Sequence, residues 1–213
     1  MALSTYTDLK ATIASYLARD DLTSVIPDFI TLAEAKFNRA LFVPQMEQRS
    51  TATVDTTSTE PEFVSLPGDF QTMRAVRLNG VTGKPRLSYL SKTQLDDYRY
   101  GIDNVTDQPA YFTIIGSEME LAPTPNDAFT LEMTYRKNLS PLASNSTNWL
   151  LTNHPDAYLY GSLMESEPYM KNDQRVQLWA AALSTVIGDI NLLGARQSID
   201  AGPSTIWLPG VTP

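Results

Sequence analysis

Close pairs of carboxylates are the first residues here whose type and spacing could do chemistry. Glu165 with Glu167 and Asp96 with Asp97 are the local acidic pairs that an acid/base hydrolase of cell-wall glycans would need. Glycosidic cleavage requires two carboxyl groups facing one bond, about 5–10 Å apart. Neighbours at i+1 or i+2 on a helix point in different directions, so neither pair converges. The single histidine, His154, lies next to Pro155, and the chain has no cysteine. Without a second histidine, a thiolate or spaced carboxylates, a metal or nucleophilic role lacks partners, and a capping or surface role fits His154 better. The phosphate-cradling strings GxxxxGK[ST] and GxGxxG are absent, and so is the GxSxG elbow of many hydrolases. No catalytic, cofactor-binding or metal-ligating residue is expected, and the chain does not read as an enzyme.

Composition narrows the class further. The 213 residues are 42% hydrophobic and 19% charged, the profile of a chain that buries a core. Net charge is −8, from 16 basic and 24 acidic side chains spread along the sequence. Duplex binding relies on clustered Lys and Arg, so this surface repels DNA on average. Arg74, Arg77, Lys84 and Arg86 come nearest to a basic patch and read as a solvated strand face. There is no run of about 18 apolar residues, so no membrane span is expected. Met1–Lys10 lacks the apolar core of a secretory signal. Absence of cysteine suits a reducing cytoplasm.

The elements that must position these residues follow from periodicity. Thr5 to Arg19 predicts a helix, capped by Thr5 with Asp8 three residues on and striped by Leu9, Ile13, Tyr16 and Leu17. A second helix starts near Pro27, shows Ile26, Ile30, Ala33, Phe37 and Leu41 on one face, and stops at Pro44. From Gln48 the chain turns β-branched: Thr51–Thr59 is a turn-rich stretch typical of strands and their loops, and further strands are expected at Met73–Leu78 and Leu87–Leu90. Tyr111–Ile115 and Met119–Leu121 form a hairpin about Gly116-Ser117. Phe129–Arg136 alternates strictly, with Phe129, Leu131, Met133 and Tyr135 facing one way, as a half-buried antiparallel strand does. Ser91–Tyr100 reads as a short helix. After Leu150 helical period returns, with Asn153 as cap, Pro155 in the first turn, and Leu159, Tyr160, Leu163 and Met164 apolar up to Pro168. A long last helix, about Asp173 to Asp200, carries Val176, Trp179, Ala180, Leu183, Ile187, Ile190 and Leu193.

Two helices, a β insertion and two helices give an α+β chain. The terminal helices can bury their stripes only against each other. The expected architecture is a four-helix body (residues 1–47 and 151–201) with an antiparallel β module (48–150) inserted between helices 2 and 3, and an extended C-terminal arm (202–213). Tyr158, Tyr160, Tyr169 and Trp179 read as core or as subunit contacts. Trp207 is different, because it sits with Ile206 and Leu208 in a proline-punctuated tail beyond Gly202-Pro203. An apolar side chain of this size is costly in water, so it either folds back on its own subunit or docks in a partner.

The order of these signals resembles the head–tail adaptor family of short-tailed and some other tailed phages, including the tail tubular A type proteins. The residues that carry the likeness run from about 5 to 200: Phe63-Val64-Ser65-Leu66-Pro67-Gly68-Asp69-Phe70 before the Met73–Asn79 strand, Leu87-Ser88-Tyr89-Leu90 with Leu95-Asp96, and Gln108-Pro109-Ala110-Tyr111-Phe112 before the hairpin. Leu121-Ala122-Pro123-Thr124-Pro125 and Trp149-Leu150-Leu151-Thr152-Asn153-His154-Pro155-Asp156 complete the series. The resemblance implies a ring of copies, twelve-fold to match a portal, that joins the portal protein to a tail or nozzle protein. It also implies a virion location after assembly in the host cytoplasm. DNA would pass along the channel without specific binding, and neither a cofactor nor a membrane is implied. The helical body would line the channel and the β module would face outward or towards the tail. In the family a C-terminal arm docks on the portal; here Pro203, Ile206, Trp207 and Leu208 occupy that place.

Three other readings compete. One is a tail-completion or neck protein that does not touch the portal, another a peptidoglycan hydrolase with a β substrate module. The third is a carbohydrate-binding tail accessory, which would show more strands and no helical frame.

Overall fold

The computed structural model describes residues 3–19, 21–83, 85–103, 105–170 and 173–199. Two compact units emerge, one drawing on the chain before Glu47 and after Asn138, the other formed by Glu47–Asn138.

The first unit is helical. Helix α1 (Tyr6–Leu17) begins where the Thr5 hydroxyl accepts the Asp8 N–H at 3.2 Å, which satisfies one of the orphan donors of the first turn. Its Leu9 and Ile13 are fully buried. Helix α2 (Ile26–Ala40) has Pro27 in its first turn and buries Ile26, Phe29, Ile30, Ala33 and Phe37 along one face. It ends at Ala40, and Pro44 opens a 3₁₀ turn, Pro44–Met46, rather than stopping the helix itself.

The return of the chain into this unit differs from the sequence expectation. Asn153 does not cap the helix at Pro155; it closes a five-residue helix, α4 (Trp149–Asn153), whose cap is Asn148. The Asn148 Oδ1 accepts the Leu151 N–H at 2.9 Å. His154 then serves as C-cap of α4 and N-cap of α5 (Pro155–Tyr169), through its backbone and not its ring. Pro168 lies inside the last turn of α5 and does not end it. Helix α6 (Asp173–Ile199) has 27 residues and is about 40 Å long. The expected four helices of the body thus become five α-helices among the described residues of this unit, α4 being too short for periodicity to reveal.

The core of the helical unit holds Leu9, Ile13, Ile30, Phe37 and Tyr158, joined by Leu183 and Ile190 from α6. Phe37 meets Tyr158 edge-on, with ring centroids 5.1 Å apart. Gly161 is needed at this crossing, because a Cβ there would stand 2.8 Å from Phe37 Cζ and 3.1 Å from Ala33 Cβ.

The second unit is mostly strand. Strands β1 (Glu47–Thr53), β2 (Phe63–Ser65), β3 (Phe70–Asn79) and β4 (Ser88–Tyr89) precede helix α3 (Lys92–Gly101). After it come β5 (Thr106–Asp107), β6 (Tyr111–Ile115), β7 (Glu118–Ala122), β8 (Thr124–Pro125) and β9 (Thr130–Lys137). They form sheets of order β1-β9-β3, β2-β7-β6-β4 and β5-β8. Central strand β9 buries Leu131, Met133 and Tyr135, as its alternation requires. The β6–β7 hairpin turns at Gly116, whose φ of 60° suits glycine. Not every pairing is antiparallel: the short β4–β6 and β5–β8 pairs run parallel. Met119, Leu121, Val76 and Leu78 fill the core between the two larger sheets.

Candidate functional site

The groups that could react stand apart. Glu165 pairs with Lys36 across the α2–α5 contact. Glu167, 1% exposed, accepts a hydrogen bond from Trp179 Nε1 at 3.1 Å. Asp96 pairs with Lys92 at 2.7 Å on α3, and Asp97 is exposed. His154 lies edge-on to Trp149 with ring centroids 6.4 Å apart. Among the described residues no three His, Cys, Asp or Glu side chains come close enough to hold a metal ion.

Two buried acids without any signal in the sequence, Glu34 and Glu120, anchor neighbouring elements. Glu34 on α2 is 7% exposed. Its Oε1 accepts the Leu142 N–H at 2.8 Å and the Tyr158 hydroxyl at 3.1 Å. Asn148 Nδ2 in turn donates to the Tyr158 oxygen at 2.6 Å and to the Ser140 carbonyl at 2.8 Å. Nearby, Asn38 Oδ1 accepts the Leu139 N–H at 2.7 Å. Side chains of α2 and α5 therefore pin the loop 139–148, those of Asn38 and Glu34 taking the Leu139 and Leu142 N–H groups. Burial pushes the Glu34 carboxyl above the usual carboxylate range, against the pull of its hydrogen bonds. The Tyr158 hydroxyl is raised too, first by burial and then by the Glu34 charge.

In the strand unit, Glu120 on β7 is 2% exposed. Lys92 Nζ approaches it at 2.8 Å and Arg99 at 3.3 Å, which fastens α3 to its sheet. The described basic residues read as a solvated strand face lie exposed on β3 and beside it. Arg74 meets Glu47 at 3.2 Å, Arg86 Nη2 donates to the Arg74 carbonyl, and Arg77 is exposed. Lys84 lies outside the described residues. Beside the patch, Phe70, Met73, Tyr89, Phe112 and Ile114 line an open cleft of about 570 Å³ with Arg74 and Arg86 at its rim.

The aromatic residues of the C-terminal helices divide by role. Tyr158 is core, Tyr160 stacks on Trp179 with centroids 5.8 Å apart, and Tyr169 is 57% exposed. Pro203, Ile206, Trp207 and Leu208 lie outside the described residues.

An apolar surface of α6 is left uncovered by the described residues. Contrary to the expectation of no such run, an 18-residue window within Arg175–Gln197 reaches a mean hydropathy of 1.4, enough by length and composition to cross a membrane, yet only 17% of that window is buried. Leu183 and Ile190 face the core, while Leu178, Leu192 and Leu193 are 61%, 51% and 49% exposed. The expected single stripe had placed Leu193 on the packed side. Gly194 takes that position instead, since a Cβ there would meet Val43 Cγ1 at 2.8 Å. The sequence reading assigned α6 one apolar stripe, whereas the structure leaves a second apolar side, with Leu178 and Leu192, outside the packing of the described residues.

A site of this kind offers surfaces, not reactive groups. A protein-family model described as the SU10 adaptor protein matches residues 4–206. The chain belongs to the SU10 adaptor protein family. Membership agrees with the phage head–tail adaptor resemblance drawn from the ordered motifs, and an adaptor family is a structural class, not an enzyme class. It places the SU10 adaptor chain among virion structural proteins that contact other head or tail components. No curated protein matches the chain significantly.

Proposed function

We propose that this SU10 adaptor protein assembles as a ring, twelve-fold to match the portal, that joins the portal to the tail and continues the DNA channel. The observation that carries the reading is the family match over residues 4–206. The physics is compatible with it. A net charge of −8 gives a wall that weakly repels phosphates, so DNA slides past without specific binding. A ring needs a heterologous interface, two different faces on each copy, and a unit of several helices offers them. The helices contributed before Glu47 and after Asn138 form the body, the strand unit is the inserted module, and residues 202–213 are an arm. Pro203, Ile206, Trp207 and Leu208 dock in the portal, where burial of the tryptophan offsets the cost of ordering the arm. Assembly takes place in the host cytoplasm.

Sedimentation of the purified chain with purified portal rings tests this. Co-sedimentation in a fixed ratio is the expected outcome. A chain that stays at the top of the gradient with the portal, and sediments with the tail protein instead, is a tail-completion protein.

A further inference from the structure

The exposed side of α6 has a spacing of its own. Leu178, Ala181, Thr185, Gly188 and Leu192 succeed one another at three and four residues, and all five are exposed. That is the seam of a helix that packs along another helix. Thr185 returns its hydroxyl to the Ala181 carbonyl at 3.1 Å, so its donor is satisfied within the helix. Gly188 is the informative member. A Cβ at this position would meet nothing within 4 Å, so nothing in the subunit's own packing calls for glycine there, in contrast to Gly194. A mid-helix glycine is unfavourable for the isolated chain, and close approach by another backbone is the physical use for it.

The neighbouring surface has the complementary form. Lys36, Arg39, Ala40, Ala180, Leu183 and Ile187 line a groove of about 420 Å³ between α2 and α6. Lys36 is already paired with Glu165, but Arg39 is exposed and makes no ion pair among the described residues. Between Arg175 and Arg196 the only charged residue of α6 is Asp189, also exposed and also without an ion pair among the described residues. Each apolar surface thus carries one spare charge, of opposite sign to the other.

We propose that the α6 seam of one copy lies in the α2–α6 groove of the next, with Asp189 of one facing Arg39 of the other. The two surfaces differ, so the contact is heterologous and propagates around a ring. This rests on the ring reading above and names the interface that closes it. A bilayer is the rival occupant of an apolar helix of this length, but Asp189 in the middle of the stretch speaks against it.

Because the chain has no cysteine, introduced thiols report without background. Asp189→Cys and Arg39→Cys proteins are mixed, assembled on portal rings and oxidised. The expected product is a covalent dimer from the mixture and none from either variant alone. Gly188→Leu should raise or preserve the thermal midpoint while weakening ring formation on the order of tenfold or more. Asp189→Arg should do the same, and Arg39→Asp in the same chain should restore it. Rings that form normally from wild type, Gly188→Leu and Asp189→Arg alike, without a mixed cross-link, overturn this interface and leave the adaptor reading intact. Wild type that forms no ring on the portal removes the ring reading and the interface together. Flotation of the wild type with phosphatidylglycerol vesicles assigns the face to lipid and also overturns the proposal.

Discussion

Glu34 is the residue on which the helical unit's return loop depends. Both of its donors, the Leu142 N–H and the Tyr158 hydroxyl, reach the same oxygen, Oε1. Glu34→Gln can keep that acceptor while removing a buried charge. A carboxyl whose value is raised on folding favours the folded state below its unfolded value of 4.5 and loses that contribution as pH rises through the folded value. Wild type should therefore lose stability as pH rises above 4.5, and the Gln variant should lose less. Urea midpoints at several pH values measure this; parallel curves for the two proteins would contradict it. Glu34→Leu leaves two buried donors unpaired, each costing about 1–3 kcal/mol. Two glycines give a sharper contrast. Gly161→Ala drives a methyl into Phe37, which is fully buried and has no room to turn, so it should destabilise by about 1–3 kcal/mol. Gly188→Ala meets open space and should stabilise by up to about 1 kcal/mol. Thermal denaturation of both variants reads the difference, and equal shifts in the same direction would refute the packing account.

At the scale of the element, legibility followed the length of the periodic signal. Strand β9 and the β6–β7 hairpin were readable because alternation and a Gly-Ser turn leave few options. Helices α1 and α2 were readable from their caps and stripes, and the short helix expected over Ser91–Tyr100 is α3, which Ser91 opens with a capping box to Gln94. Helix α4 was not, since five residues carry no period and its cap, Asn148, stands in a run of Ser, Thr and Asn where any one would serve. Buried acids were equally hidden: Glu120 sits in a strand at an alternating position, and only its contacts with Lys92 and Arg99 on α3 show why a charge is tolerated there. Arg99→Met leaves the Glu120 carboxylate with Lys92 alone and should cost about 3 kcal/mol. Its denaturant midpoint checks this, and an unchanged value would mean that Lys92 by itself compensates the Glu120 charge.

For the whole molecule, the family match gives a structural role, and the structure offers surfaces to perform it. The portal-docking residues Pro203, Ile206, Trp207 and Leu208 were proposed from composition and resemblance, and Trp207→Ala is the narrowest probe of them. If the arm anchors the ring, this variant keeps its stability and loses about tenfold or more in portal affinity, as expected for a buried aromatic anchor. Unchanged affinity removes Trp207 from the mechanism. The central claim, that this chain is a structural joint between portal and tail, is most directly tested by negative-stain imaging of the chain mixed with portal rings. The account predicts a second ring of density seated coaxially on the portal. Bare portals beside free monomers, at concentrations well above those of assembly, would contradict it.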